Sequence, residues 1–288
     1  MVKAFYISVI ACLYFASDCR TQPLLDIVNI RYQLSPSAGM FRQNFVQNYI
    51  RYWNISTNLP VEFNNRKSIL LVSPGFEEWK CSFPKKEATD AFVKGWVLPL
   101  LWIQTLKAGW IMTSGVIFRN NAEAFGLNKA WQVGSVLLAT YEKSKQLKYK
   151  FGLYYNSELS GPFFMPLVGI DWRSNKTNIY GVLPGNLTIE RKLNTVLYYG
   201  ISFRAITNSY QQYNNKFIRI DDNQLTVFMD YYLSKHIVLN AEAGHSIFRR
   251  IRLGDNQRHP YYYFTAKTND NWLLKTSLAY RLRLQEKR

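Results

Sequence analysis

Leu147-Lys148-Tyr149-Lys150-Phe151-Gly152-Leu153-Tyr154-Tyr155-Asn156 alternates with a period of two: its odd positions are all apolar or aromatic, its even positions mainly Lys, Gly and Asn. Successive side chains of a β-strand point to opposite faces, so this stretch predicts a strand with one apolar and one polar face. The pattern recurs at 195–205, where Leu197, Tyr199, Ile201 and Phe203 oppose Gly200, Ser202 and Arg204. It recurs again at 272–284, where Trp272, Leu274, Leu278, Tyr280, Leu282 and Leu284 oppose Lys275, Ser277, Arg281 and Arg283. Similar patterns occupy 25–35, 41–56, 66–76, 97–106, 109–119, 130–145, 163–173, 223–235 and 237–252. A helical period fits almost nowhere.

An apolar stripe turned inward makes a soluble sandwich or barrel, and one turned outward makes a membrane barrel. Three features favour the second. Many segments exceed ten residues, whereas soluble strands are nearer five or six and tilted spanning strands need about 9–11. Trp53, Trp96, Trp110, Trp131, Trp172 and Trp272 fall towards segment ends, where interfacial girdles sit. Short connections near 107–108, 146, 174–176, 192–194 and 235–236 are interleaved with longer ones at 77–96, 120–129, 158–162, 206–222 and 252–270, as expected when turns on one side of a membrane are tight and loops on the other are long. The expectation is an all-β, antiparallel up-and-down transmembrane barrel of 12–14 strands. The count is 14 if Pro184-Gly185-Asn186 turns a hairpin.

Composition agrees. The 288 residues include 20 Tyr, 18 Phe and 8 Trp, with 48 % hydrophobic residues overall, yet mean hydropathy is only −0.20. Rings with an apolar body and a polar tip suit a surface that meets both lipid and water. The net charge of +17 invites a nucleic-acid reading. The charges are scattered among apolar residues, however, without a basic helix or zinc-ligand spacing, so no nucleic-acid partner is expected. Anionic lipid head groups and small anionic solutes are the better match.

Lys3, a short apolar stretch to Ala16 and the small or polar residues Ser17-Asp18-Cys19 read as a secretory signal peptide over 1–22, followed by one barrel domain over 23–288. The stretch is too short for a spanning helix, and no later stretch reaches the roughly 18 apolar residues one requires. Asp18 before Cys19 fits a lipoprotein box poorly. Cys81 then stands alone, which supports neither a disulfide framework nor a metal site.

The closing strand, the Trp-rich hairpins and the block Pro166-Leu167-Val168-Gly169-Ile170-Asp171-Trp172-Arg173, followed by Gly181-Val182-Leu183-Pro184, resemble a family of Gram-negative outer-membrane β-barrels of unknown function. The resemblance covers most of the chain after the leader. It implies a barrel exported to the cell outer membrane, with outer-membrane lipid and the barrel-insertion machinery as partners, and it carries no catalytic residues. The chain departs from the usual pattern by ending on Leu284 and a charged tetrapeptide rather than on an aromatic.

The polar faces of the strands assign Glu142, Lys148, Lys150, Arg204, Asp230, Glu242, Lys275, Arg281 and Arg283 to the lumen. These side chains either line a basic pore or form a paired network that fills the interior, since unpaired buried charge is costly. Gly244-His245-Ser246 suggests a barrel-embedded lipid hydrolase, but neighbours in a strand face opposite ways, so His245 and Ser246 do not pair. No catalytic residue, metal or cofactor is expected. The reading is a structural or porin-like barrel for small solutes, with the hydrolase and a secreted soluble barrel binding an apolar ligand as alternatives.

Overall fold

A computed structural model describes residues 24–36, 49–63, 67–82, 90–127, 130–255, 261–267 and 271–283. The leader, residues 37–48 with the first part of the pattern at 41–56, His259 and Leu284 lie outside the described residues. Seventeen strands follow one another: β1 (Leu24–Pro36), β2 (Tyr49–Thr57), β3 (Leu59–Phe63), β4 (Ser68–Val72), β5 (Gly75–Cys81) and β6 (Ala91–Thr105) come first. Next are β7 (Trp110–Ala122), β8 (Trp131–Ser144), β9 (Leu147–Glu158), β10 (Gly161–Arg173), β11 (Thr177–Leu183) and β12 (Asn186–Lys192). The last five are β13 (Leu197–Gln211), β14 (Lys216–Tyr232), β15 (Ile237–Asp255), β16 (Tyr261–Lys267) and β17 (Asn271–Arg283).

The wall is an antiparallel ring closed by β1 against β17. β2 and β3 form one wall strand interrupted at Asn58, and β4 and β5 form another interrupted at Ser73-Pro74. β16 pairs only with the upper part of β15, so the ring has 14 strands. The turn at Pro184-Gly185 supplies the hairpin on which that count depends. At what we call the near end, where β1 begins and β17 ends, tight turns join the strands. At Ala108-Gly109 both residues have positive φ, 57° and 77°, the geometry that matches the twist of flanking strands in a two-residue hairpin.

Several expected loops at the far end are strands instead. β5 and β6 take up most of 77–96, β15 and β16 most of 252–270, and β7 runs to Ala122. The stretch 206–222 is a tight hairpin between β13 and β14. Its polar run Gln-Gln-Tyr-Asn-Asn reads as loop, but Asn214 and Asn215 both adopt φ near 57°, which Asn tolerates better than other non-glycine residues.

The faces distinguish a membrane barrel from a soluble one. Leu153 is 60 % exposed and Val227 58 %, while Lys148, Asp230 and Lys275 are buried on the inward register. A water-soluble protein buries the other set. We expect Leu153→Arg, mid-strand on the outer face of β9, to cost about 2–4 kcal/mol of insertion free energy. The measurement is the folded fraction on a semi-native gel, where membrane barrels shift only on boiling, and an unchanged fraction would mean that this face does not meet lipid.

In the closing strand Leu274 and Leu278 are exposed outward, as the alternation requires. Leu282 and Tyr280 are not. Leu282 packs with Leu25 and Ile27 against Ile69, Ile103 and Ile111, and Tyr280 lies against the same cluster. Below Val28, β1 has no pairing with β3, so the β1–β17 end curls inside β4, β6 and β7. Its outward residues meet their inward ones, and alternation alone carries no signal for that curl.

Candidate functional site

The interior is layered by height. Nearest the near end, Arg283 donates to both oxygens of Glu190 at 3.0 and 2.9 Å and to the Tyr232 hydroxyl at 2.6 Å. Its guanidinium lies 3.5 Å from the centre of the Tyr198 ring. Arg281 bridges two strands by donating to Asp26 at 2.5 and 3.1 Å and to Asp230 at 2.6 Å, while Asp230 also accepts from Asn240 at 2.7 Å. Higher up, Lys275 donates to Glu242 at 3.0 Å, and Thr226 donates to the same oxygen. On the opposite arc Lys148 stands 3.7 Å from Glu142, and Lys150 is buried on the same inward register. Eight of the nine charged residues singled out in the sequence thus lie in a densely packed inner layer, in which satisfied pairs rigidify the wall.

Arg204 behaves differently. It is half-buried, and the charge of Arg31 is its strongest electrostatic neighbour, ahead of that of Glu242. Neither guanidinium makes an ion pair with a carboxylate among the described residues, and Arg31 Nε has no hydrogen-bond partner. Arg31, Arg204 and Lys275 therefore surround Glu242 at mid-height and leave a surplus of positive charge in the lumen. Arg31 went unnoticed in the sequence because its strand begins beside the leader. Its place between Ile30 and Tyr32 is the signal that was there.

The upper parts of β13, β14 and β15, together with β16, leave the wall and lean across the opening as a flap. The departure is marked by a bulge: Phe248 and Arg249 of β15 stand opposite Asp222 of β14, and Phe248 has φ 56°. Such bulges bend a strand. Arg249 and Asp222 are buried there at 1 % and 0 % side-chain exposure, 3.0 Å apart. Arg249 also donates to Ser35 of β1 at 2.9 Å. The flap's inner face presents Tyr210, Ile218, Ile220 and Ile251. These pack on Ile50, Tyr52, Trp79, Cys81, Ala91 and Val93 of the opposite wall.

Polar contacts seat the flap. Glu77 of β5 accepts from Tyr210 at 2.6 Å, from Asn208 at 2.9 Å and from Tyr52 at 3.2 Å. Arg119 of β7 donates to Asn208. At the flap's edge Gln211 forms a single parallel bridge with Ala122 of β7, and Ser209 donates to Glu158. A side notch accompanies this departure, since β12 pairs with β13 only up to Arg204 and β11 with β10 only down to Val168.

His245 and Ser246 face opposite ways. His245 stacks on Trp272 at 4.2 Å on the outer face, and Ser246 donates inward to Asp222. His236 stacks on Tyr280. Among the described residues no histidine ring is hydrogen-bonded to a serine hydroxyl, and no three His, Cys, Asp or Glu side chains are grouped to hold a metal ion.

No family model matches the chain, and no curated protein matches it in sequence. Among solved structures it resembles an outer-membrane channel from Pseudomonas putida F1, with 10 % identity, 92 % of this chain and 98 % of that one covered, and a TM-score of 0.50. The NanC porin follows at 9 % identity, 88 % and 100 % coverage and a TM-score of 0.42. The outer-membrane phospholipase A of Escherichia coli reaches 10 % identity, 88 % and 92 % coverage and a TM-score of 0.38. The fold is that of an outer-membrane β-barrel.

Proposed function

We propose that this chain is an outer-membrane passage for small anionic solutes, held closed at its far mouth by the flap. The observation that carries the reading is that Arg31 and Arg204, which make no ion pair among the described residues, join Lys275 around the carboxylate of Glu242. Three cations about one carboxylate are kept at a cost, and a passing anion relieves it. The near end takes up the periplasmic side in this reading, because tight turns lie there. The P. putida channel of the same fold is consistent with passage. A hydrolase is disfavoured by the outward orientation of His245, and a purely structural role leaves the two arginines without purpose.

The test is reconstitution into planar bilayers. The wild-type protein should show long closures with brief openings, and a salt gradient should give a reversal potential of anion selectivity that falls in Arg204→Gln. A double variant, Ala122→Cys with Gln211→Cys, joins the flap edge to β7 at its bridge, where strand partners have the spacing a disulfide needs. Openings should vanish on oxidation and return with a reductant. Unaltered openings in the cross-linked protein would place the route elsewhere, and silence under every condition would defeat the passage itself.

A further inference from the structure

The near rim carries a ring of exposed cations. Lys67 follows the β3–β4 turn, Lys107 lies between β6 and β7, and Lys143 and Lys145 flank the β8–β9 turn. The ring continues with Lys176 between β10 and β11, Arg191 at the end of β12, and Lys235 between β14 and β15. All seven are solvent-exposed. The described residues of these six connections, at 67, 106–109, 143–146, 174–176, 191–196 and 233–236, include no Asp or Glu. Among the described residues seven exposed cations are thus spread around the perimeter at one height, with no acidic residue in the connections that carry them.

Height and shape identify the partner. Directly above the ring, on the outer face, stand Trp110 against Tyr141 at 5.0 Å, exposed Trp172 and exposed Tyr231. Aromatic side chains of that kind sit at the boundary between acyl chains and head groups, so the cations one turn beyond them lie level with lipid phosphates. A folded protein docking from the aqueous side meets one sector or the open end. Only the leaflet itself surrounds the whole rim.

We propose that this rim binds anionic phospholipid head groups of the leaflet at the near end. The proposal rests on the membrane-barrel reading but not on passage. Basic residues close to an anionic surface gain attraction that decays within a Debye length.

Native mass spectrometry of the detergent-solubilised protein, incubated with an equimolar mixture of phosphatidylglycerol and phosphatidylethanolamine, reads the preference directly. The wild type should retain phosphatidylglycerol several-fold over phosphatidylethanolamine, and the ratio should fall towards one as ionic strength rises. The variant with Lys107, Lys143, Lys145, Lys176 and Lys235 each changed to Gln should show a ratio near one, while keeping its heat-modifiable gel shift. If that variant does not fold, the pair Lys143→Gln and Lys145→Gln should still lower the ratio by a measurable part. Absence of preference in the folded wild type, or a preference that survives in the variants, would overturn the proposal. So would a rim that retains lipopolysaccharide but no phosphatidylglycerol. Loss of the wild type's gel shift would defeat the barrel reading instead.

Discussion

Asp222→Ala should destabilise the barrel by about 3–5 kcal/mol, the cost of leaving a buried charge without its partner. Asp222 accepts from Arg249 at 3.0 and 3.1 Å and from Gln224 at 2.6 Å, and Ser246 donates to it as well. Both members of the ion pair are withdrawn from solvent, so the guanidinium left behind has only Ser35 to hold it. The pair sits at the hinge where β14 and β15 still belong to the wall, and Gln224 continues the network to Gln33 of β1. Three wall strands are therefore tied at one point, and the loss is borne by global unfolding. The measurement is the urea midpoint of the gel shift. Combining Asp222→Ala with Arg249→Met removes both charges and retains the volume of the arginine stem, so most of the stability should return. A single-variant loss below about 0.5 kcal/mol would show that the hinge is not held by this pair.

The sequence made the wall legible and left the lids hidden, for a physical reason. Alternation reports which face of a strand is apolar, and over most of the chain one apolar face meets lipid, so Leu153 and Leu278 were placed on the outer face by period alone. Where a strand leaves the ring, the same alternation means something else. In Phe217-Ile218-Arg219-Ile220 and in Arg249-Arg250-Ile251-Arg252-Leu253 the residues Ile218, Ile220, Ile251 and Leu253 point inward, into the flap's contact with β5 and β6. The signal was present as period two, but the flanking Asn, Asp and Tyr residues suggested a loop. Trp79 was hidden likewise, between Glu78 and Lys80 in a stretch whose charges also suggested a loop. The mid-height arginines were half visible: Arg204 from its alternating strand, Arg31 only from its place between Ile30 and Tyr32. Pairing within the lumen follows from neither period nor composition, because it depends on which strands the ring places three or four apart, as with Arg283 and Glu190.

Trp79→Ala should open the far mouth. Trp79 is fully buried, stacks on Tyr52 with ring centres 4.3 Å apart, and belongs to the cluster that receives Tyr210, Ile218 and Ile220 from the flap. Truncating a buried Trp to Ala costs about 3–5 kcal/mol through lost transfer energy and the cavity left behind. That cost falls on the closed state, and the flap can leave it without unfolding the barrel. A penalty near 3 kcal/mol raises the ratio of open to closed flap roughly a hundredfold, since each 1.4 kcal/mol is a factor of ten. The fall in global stability is then capped at the free energy of opening the flap, with the remainder appearing as open time. In planar bilayers the variant should conduct for much of the record, whereas Trp79→Phe, which keeps an aromatic ring in the cluster, should close nearly as well as the wild type. The two readouts separate a gate from a core. A large drop in the urea midpoint with unchanged conductance would mean that the flap is a fixed part of the wall, whereas a modest drop with sustained conductance identifies it as the moving part.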